Sequence, residues 1–313
     1  MKYTLKHVAM SDLKPKETIL FDMNRKVVAN MTLQAWDEIP HAAIIHNANV
    51  SKFMDILKEI NNSRDSEKKI TLNTALLRIF VEGLKAAPHM NSHMEFNRWK
   101  VQGTLKIYDT INVTMPITLP DGSMMSFNVR DVDKKSMSEI GDTINDIIRR
   151  GAKTNLKEVL MEVSLDNTIG YFRKGKILKV IGRMIGVTTG KHKLKAMSLK
   201  EKREYLKIPE SDRLTMKDIE QGTITISNVG SLYKDWHGAC TLLEVIPPQT
   251  VAIGIGSATK APVVDKNDKI IVERVLPITI AFDHKALDAN EIMPFIERLD
   301  EIFENPEVIK EWV

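Results

Sequence analysis

Residues 279–295 read TIAFDHKALDANEIMPF, an apolar β-type run followed by a stretch with helical spacing. His284 comes directly after the run, and Asp288 follows four residues later, at the expected start of the helix. A histidine at a strand end can have its ring tautomer fixed while the other ring nitrogen faces a cleft, so His284 is a candidate general base that Asp288 orients. In the alternative interpretation, Asp288 is only an N-cap and His284 is a core histidine. The spacing leaves both open.

Helices and strands alternate along the rest of the chain without a regular βαβ repeat. Ser51 is the expected N-cap of the second helix, and the PDG at 120–122 predicts a turn next to a β-hairpin within 104–118. The pattern predicts an α/β fold in which a mixed sheet is flanked by helices, not a doubly wound sheet. The expected helices cover 24–36, 52–62, 71–87, 136–150 and 290–304, and the late strands cover 222–230, 249–258 and 269–282, after a first strand at 41–50.

The composition is that of a globular chain of 313 residues, of which 43% are hydrophobic and 27% are charged. Cys240 is the only cysteine, so an internal disulfide is excluded. The sequence has no run of about 18 apolar residues that would predict a membrane-spanning helix, and no amino-terminal stretch with the form of a signal peptide. These features favour a cytoplasmic protein.

The positive charge is concentrated in one segment, residues 171–207. That segment holds twelve Lys or Arg against two Glu, a net charge of +10, which leaves −6 for the rest of a chain whose total is +4. Nucleic-acid binding is not expected, because only Tyr171, Phe172 and Tyr205 are there to stack on bases. Ile177, Ile181, Met184 and Ile185 fall on one face of a possible helix, opposite Lys179 and Arg183. Such a helix can contact an anionic membrane surface, an acidic partner or the phosphates of coenzyme A, or can simply be a solvated face.

Several spaced blocks resemble the catalytic domain of the acyltransferase component of 2-oxo acid dehydrogenase complexes, a relative of chloramphenicol acetyltransferase. Residues 283–289 (DHKALDA) match the family's Asp-His-Arg-x-x-Asp-Gly motif, 222–230 (GTITISNVG) match its Thr-Ile-Ser strand, and 247–256 (PPQTVAIGIG) match its Pro-Pro-Gln strand, in the family's order. Weaker blocks extend the resemblance over 24–150 and 220–310. It implies a chloramphenicol acetyltransferase-like fold and a homotrimer.

The resemblance also implies roles for three residues. His284 takes the proton from a thiol, which then attacks a thioester, and Asp288 holds the histidine or the active-site structure in place. Ser227 donates a hydrogen bond to the oxyanion, although a strand hydroxyl bonded to backbone is its alternative interpretation. In the family, the base and the serine come from different subunits. Coenzyme A is the implied substrate, and a lipoyl group takes part only if a separate protein supplies it.

The chain departs from the family at three places. Lys285 replaces an arginine and cannot form the same bidentate bridge. Ala289 replaces a glycine, which suggests that the backbone there does not need a positive φ. The segment at about 151–216 is interpreted as a basic insertion with no counterpart of that length in the family.

We expect residues 1–313 to form one acyltransferase catalytic domain, without a lipoyl or subunit-binding domain. Lys310 and Glu311 fit poorly into a buried contact between trimers, so a free trimer is expected, with a separate lipoyl-carrying protein or dehydrogenase subunits as possible partners. The predicted function is acyl transfer between coenzyme A and a dihydrolipoyl-type thiol or another small acceptor. The alternative is a non-catalytic trimeric scaffold that binds an acidic or membrane partner through 171–207.

The other candidate residues carry weaker signals. His89 and His93 have the spacing of a helical metal pair, but Pro88 and the intervening Asn-Ser favour a loop, and no metal site is expected. His237 is interpreted as a loop histidine, and Cys240 as a buried, inert thiol.

Overall fold

A seven-stranded mixed sheet forms the centre of the fold. The structure is a computed structural model that describes residues 14–120, 122, 124–173, 175, 177–188 and 197–313. The helices are α1 (Met23–Glu38), α2 (Ser51–Asn62), α3 (Leu72–Ala86), α4 (Met137–Gly151), α5 (Leu156–Arg173), α6 (Ile177–Thr188), α7 (Leu199–Tyr205), α8 (Met216–Ile219) and α9 (Ala289–Glu304). The strands are β1 (His41–Asn49), β2 (Ser92–Asn97), β3 (Gln102–Ile107), β4 (Val113–Thr118), β5 (Met124–Val129), β6 (Ile224–Asn228), β7 (Val251–Ile255), β8 (Thr259–Val264) and β9 (Ile270–Asp283).

The strand order is β1-β9-β7-β6-β4-β5, with β8 paired to the first half of β9, while β2 and β3 form a separate two-stranded sheet. The β4/β6 and β6/β7 pairs are parallel, and the remaining pairs are antiparallel. Parallel and antiparallel pairs in one sheet confirm the predicted mixed α/β fold.

The long strand β9 sets the position of His284. Its apolar residues favour a strand buried on both faces, and its final six residues, 278–283, are buried. β1 and β7 flank this half of the strand, with His41 opposite Asp283 and Val251 opposite Phe282. Because the ladder ends at Asp283, His284 lies at the edge of the sheet, where its N–H donates to the Pro40 carbonyl at 3.1 Å.

The main core lies between one face of the sheet and helices α2, α3 and α9. Residues of α9 at helical spacing are buried, and the ring of Phe295 lies 5.8 Å from that of Phe80 on α3. A second contact of this kind joins Phe53 on α2 to Phe303 on α9 at 5.5 Å. Each fully buried side chain of this size stabilises the fold by about 1.5–3 kcal/mol. The core therefore fixes α9, and with it Asp288 at its start.

Most predicted helices are confirmed, but the predicted cap of α2 is wrong. Thr71 and Ser136 cap α3 and α4 through their side chains. The N-cap of α2 is Val50, and Ser51 is the first helical residue. The Ser51 hydroxyl instead accepts from the N–H of Arg274 at 2.7 Å. The hydroxyl that could cap the helix therefore satisfies a backbone donor of β9.

The predicted hairpin within 104–118 is also wrong, because the two apolar runs belong to different sheets. β3 pairs back with β2, and β4 pairs forward with β5, where Thr118 lies opposite Met124. The turn predicted at 120–122 does join β4 to β5: the N–H of Gly122 donates to the Leu119 carbonyl, and Gly122 has a φ of +81°. Asp121 lies outside the described residues.

Candidate active site

Two acceptor atoms face one nitrogen of His284. Its Nδ1 lies 3.1 Å from the Leu287 carbonyl oxygen and 3.2 Å from Oδ1 of Asp288. A carbonyl and a carboxylate accept hydrogen bonds, so the neutral ring carries its proton on Nδ1 and leaves a lone pair on Nε2. The side chain of His284 is 55% exposed. The interpretation of His284 as a core histidine is therefore wrong, and the exposed ring stays a candidate general base.

Asp288 is both the N-cap of α9 and a neighbour of the His284 ring, the two alternatives that the sequence left open. It is the N-cap residue of α9, and its N–H donates to the Glu291 carboxylate at 2.8 Å, as in a capping box. Its own carboxylate lies beside His284. Ala289 is the first residue of α9 and has no positive φ, so the alanine fits where the family has glycine.

Lys285 forms an ion pair at the strand end. Its Nζ lies 2.9 Å and 2.7 Å from the two carboxylate oxygens of Asp283, whose side chain is only 4% exposed, and it also donates to the Glu38 carbonyl at 2.8 Å. A lysine in this position neutralises the buried carboxylate as a point charge. Reasoning from the sequence missed Asp283 as a structural partner, although its place before His284 was visible in the motif.

Ser227 lies on β6, away from His284. Ile224 and Ile226 point into the core, whereas Thr225 and Ser227 alternate to the other, half-buried face. Among the described residues, the Ser227 hydroxyl has no hydrogen-bond partner, in contrast to Thr225, whose hydroxyl donates to the Gln249 side chain at 2.6 Å. The hydroxyl of Ser227 is therefore available to a ligand.

The sheet register separates the serine from the histidine within one chain. Ser227 is paired with Gly254, and Gly254 with Thr279, five residues before His284. Two strand spacings of about 4.8 Å and a rise of about 3.3 Å per residue place the two Cα atoms about 19 Å apart. A serine and a histidine side chain cannot span that distance. The two residues do not form one site within a single chain.

A polar cluster beside β6 was not predicted from the sequence. His93 lies on β2, not in a loop; its Nε2 donates to the Gly222 carbonyl at 3.1 Å, and its Nδ1 accepts from the Tyr108 hydroxyl at 3.1 Å. Gln249 donates to the same Gly222 carbonyl at 2.8 Å. Burial lowers the pKa of His93 below its ordinary value of 6.5. Both ring nitrogens are used in structural hydrogen bonds, so His93 does not act as a metal ligand in this arrangement.

The remaining candidates lie apart from this cluster. His89 is exposed on a short 3₁₀ helix, Pro88–Met90, and His237 is exposed in the segment between β6 and β7. Cys240 is half-buried, and its thiol donates to the Leu242 carbonyl at 3.2 Å. The prediction that this thiol is buried is therefore only partly correct.

The profile of one protein family matches this chain over residues 14–164 and 184–310; the family is described as 2-oxoacid dehydrogenases acyltransferase (catalytic domain). The chain belongs to this family. The resemblance carried by the motif at 283–289 and the strands before it is thereby confirmed. Inside the segment interpreted as an insertion, the match is interrupted over 165–183.

Individual relatives of this acyltransferase family are distant in sequence. The chain is 22% identical over 285 residues to the dihydrolipoyllysine-residue acetyltransferase component of pyruvate dehydrogenase complex from Rickettsia prowazekii. This alignment covers 90% of this chain and 52% of the relative. A Staphylococcus epidermidis protein of the same name is 21% identical, and the alignment covers 94% of this chain and 53% of that protein. The chain thus spans about half the length of the curated relatives that it matches.

Solved structures share the fold of this chain. A probable dihydrolipoamide acetyltransferase from Listeria monocytogenes superimposes with a TM-score of 0.63 at 18% identity, covering 92% of this chain and 94% of the other. The Azotobacter vinelandii dihydrolipoamide acetyltransferase, studied for the catalytic roles of a serine, a histidine and an asparagine, gives 0.62 at 16% identity, with 94% of each chain covered. The predicted acyltransferase fold is confirmed.

Proposed function

We propose that the protein catalyses acyl transfer between coenzyme A and a thiol acceptor of the dihydrolipoyl type, with His284 as general base. The single observation that carries this proposal is the orientation of the His284 ring, whose Nδ1 faces two acceptors while the Nε2 lone pair is left free. Membership of the acyltransferase family and the names of its relatives support the substrate class.

The reaction needs the transfer of one proton to and from His284 and the replacement of one carbon–sulfur bond by another. Nε2 of His284 takes the proton from the attacking thiol, and the thiolate forms a bond to the thioester carbonyl carbon. The negative charge develops on the carbonyl oxygen, where the hydroxyl of Ser227 donates a hydrogen bond. The tetrahedral intermediate collapses with cleavage of the original carbon–sulfur bond, and the leaving thiolate recovers the proton from Nε2. The same groups serve both directions of transfer.

The site is formed between two copies of the chain in a homotrimer. The separation of about 19 Å implied by the sheet register supports this arrangement, since a base and an oxyanion donor must reach the same reacting carbonyl. The exposure of His284 in one chain fits a surface that a neighbouring subunit covers. Dihydrolipoamide, free or carried on a protein of a dehydrogenase complex, is the acceptor that we propose.

The activity is tested by incubating a panel of acyl-coenzyme A donors with dihydrolipoamide and separating free from acylated coenzyme A by chromatography. We expect turnover for at least one donor, and His284→Ala to lower kcat by about 10² to 10⁴ because the proton acceptor is lost. The matched control is His89→Ala, which removes an exposed histidine outside the site. Equal turnover by His284→Ala and the wild type contradicts the assignment, and an intact trimer without any turnover favours the non-catalytic scaffold.

A further inference from the structure

Helix α5 begins inside the core and ends outside it. Val159 and Leu160, in its first turns, are buried. Further along, Leu165, Ile169 and Phe172 recur at i, i+4 and i+7, the spacing of one helical stripe, and all three are more than half exposed. The second half of α5 therefore presents a row of large apolar side chains to solvent.

Helix α6 continues this apolar surface. It follows α5 after residues 174–176 and contacts it, so the two helices form a helical hairpin, called here the α5–α6 hairpin (α5 and α6 together). Ile177, Leu178 and Ile181 on α6 lie between 48% and 87% exposed. Scattered exposed apolar residues are ordinary, but a continuous row on two adjacent helices marks an interaction surface. The helix predicted over this stretch of the sequence is confirmed by α6.

The charge of the same region has a single sign. Residues 167–199 hold eight Lys or Arg and no Asp or Glu, although the chain outside 171–207 is net negative. Lys174, Lys176, Lys191, Lys193 and Lys195 contribute to this charge but lie outside the described residues.

The apolar row lies where the match to the family profile is interrupted. The family match stops at residue 164 and resumes at 184, and the exposed row begins at Leu165 and runs through Ile181. The family profile therefore assigns no role to this stretch.

We propose that the α5–α6 hairpin docks the protein on an anionic lipid surface. An exposed apolar row within a segment whose sequence is strongly basic matches the acyl boundary and the phosphate layer of such a bilayer. A symmetric contact between two hairpins would bring two strongly basic segments together and is disfavoured by repulsion. None of the helices in the described part of the chain is long and apolar enough to cross a membrane, so the hairpin lies in the interface. This proposal is independent of acyl transfer.

The experiment is flotation of the full-length protein with two kinds of vesicle: phosphatidylcholine alone, and equimolar phosphatidylcholine and phosphatidylglycerol. We expect the protein to float with the anionic vesicles, with a partition coefficient at least about tenfold higher than with phosphatidylcholine, and to be released as salt rises. Failure to float with anionic vesicles at low salt overturns the proposal.

A double variant tests whether partitioning depends on the apolar row itself or only on the net charge of the segment. Leu178→Asp with Ile181→Asp is expected to lower partitioning about tenfold or more, because two apolar side chains leave the acyl boundary. The matched control is Leu199→Asp with Leu206→Asp, which makes the same charge change at two exposed leucines of the basic segment outside the hairpin. This control is expected to retain most of the partitioning. Equal losses in the two double variants overturn the role of the apolar row.

Two further measurements complete the test. The Leu178/Ile181 variant must keep the wild-type circular dichroism spectrum. If it does not, hydrogen exchange of the wild-type segment 165–188 is the deciding measurement. Anionic vesicles, but not phosphatidylcholine vesicles, must then slow the exchange. Binding to soluble poly-glutamate without flotation on anionic vesicles assigns the surface to an acidic protein and overturns the lipid proposal.

Discussion

Two oxygen atoms hold the His284 ring, and they differ in how firmly they are placed. The Leu287 carbonyl is part of the turn between β9 and α9, so its position is set by the backbone. The Asp288 carboxylate is 69% exposed and competes with water for the same ring nitrogen. An ion pair between groups this exposed contributes about 1 kcal/mol or less. The backbone oxygen therefore does most of the orienting.

This difference predicts a small effect for Asp288→Asn. The amide keeps an acceptor oxygen, and the Leu287 carbonyl still faces Nδ1, so kcat is expected to fall by no more than about fivefold, the equivalent of about 1 kcal/mol. Steady-state kinetics beside His284→Ala measure the ratio. A loss as large as that of His284→Ala would show that Asp288 acts on the reacting groups and not through the ring.

The pair Lys285–Asp283 predicts a stability effect. Lys285→Met leaves the buried carboxylate of Asp283 without its cation and is expected to lower the free energy of unfolding by about 3 kcal/mol, whereas Lys285→Arg retains the charge and most of the stability. The control Lys134→Met breaks an exposed pair with Asp131 and is expected to leave the free energy of unfolding almost unchanged. Urea unfolding of the three variants is the measurement, and equal values for Lys285→Met and Lys134→Met would contradict this account.

At the residue scale, the sequence predicted that the side chains of His284 and Asp288 lie together, but not the backbone contacts around them. The spacing of His284 and Asp288 correctly placed the aspartate at the helix start and within reach of the ring. The Leu287 carbonyl and the Lys285 bond to Glu38 could not be predicted, because they depend on how the turn after β9 packs against the end of α1.

Among the elements, local signals predicted helices better than strand partners. Helix α3 has a threonine cap and regular apolar spacing, both of which are local, and its bounds are close to those predicted. Strand pairing is not local. The runs within 104–118 look like one hairpin, yet β3 and β4 enter different sheets, and β8 was not recognised as a strand separate from its neighbours. The Ser51 cap failed for the same reason, since its competitor is the distant Arg274.

The contact of β2 with the main sheet predicts a pH dependence. His93 is half-buried and its pKa is lowered by burial, so the unfolded chain binds a proton that the folded chain does not between the folded pKa and 6.5. The stability contributed by neutral His93 is complete above 6.5 and is lost as the pH falls through the folded pKa. Between about pH 7 and pH 5, the free energy of unfolding is expected to fall more for the wild type than for His93→Gln. Parallel curves for the two proteins contradict this assignment.

At the scale of the whole molecule, the sheet order is the feature that bears most on function. β7 lies between β6 and β9, so the strand that carries Ser227 and the strand that precedes His284 are never adjacent. Ser227 and His284 therefore do not meet within one chain, and we propose that a second chain brings the serine to the histidine. Near the end of the chain, Lys310 pairs with Glu59 on α2 and with Glu307 at 2.8 Å each. These ion pairs would be lost in an apolar contact between trimers, so we expect subunits to meet at another surface.

The shared site is tested most directly by mixing two inactive chains. His284→Ala and Ser227→Ala are co-expressed with different tags, and trimers that carry both are purified; their solution mass is expected near three chains of 35.5 kDa. In a trimer that carries both chains, about one of the three interfaces combines an intact His284 with an intact Ser227 in the required order. Acyl transfer at about a third of the wild-type rate is the predicted result. Mixed trimers with no more activity than either parent would contradict a site formed between subunits.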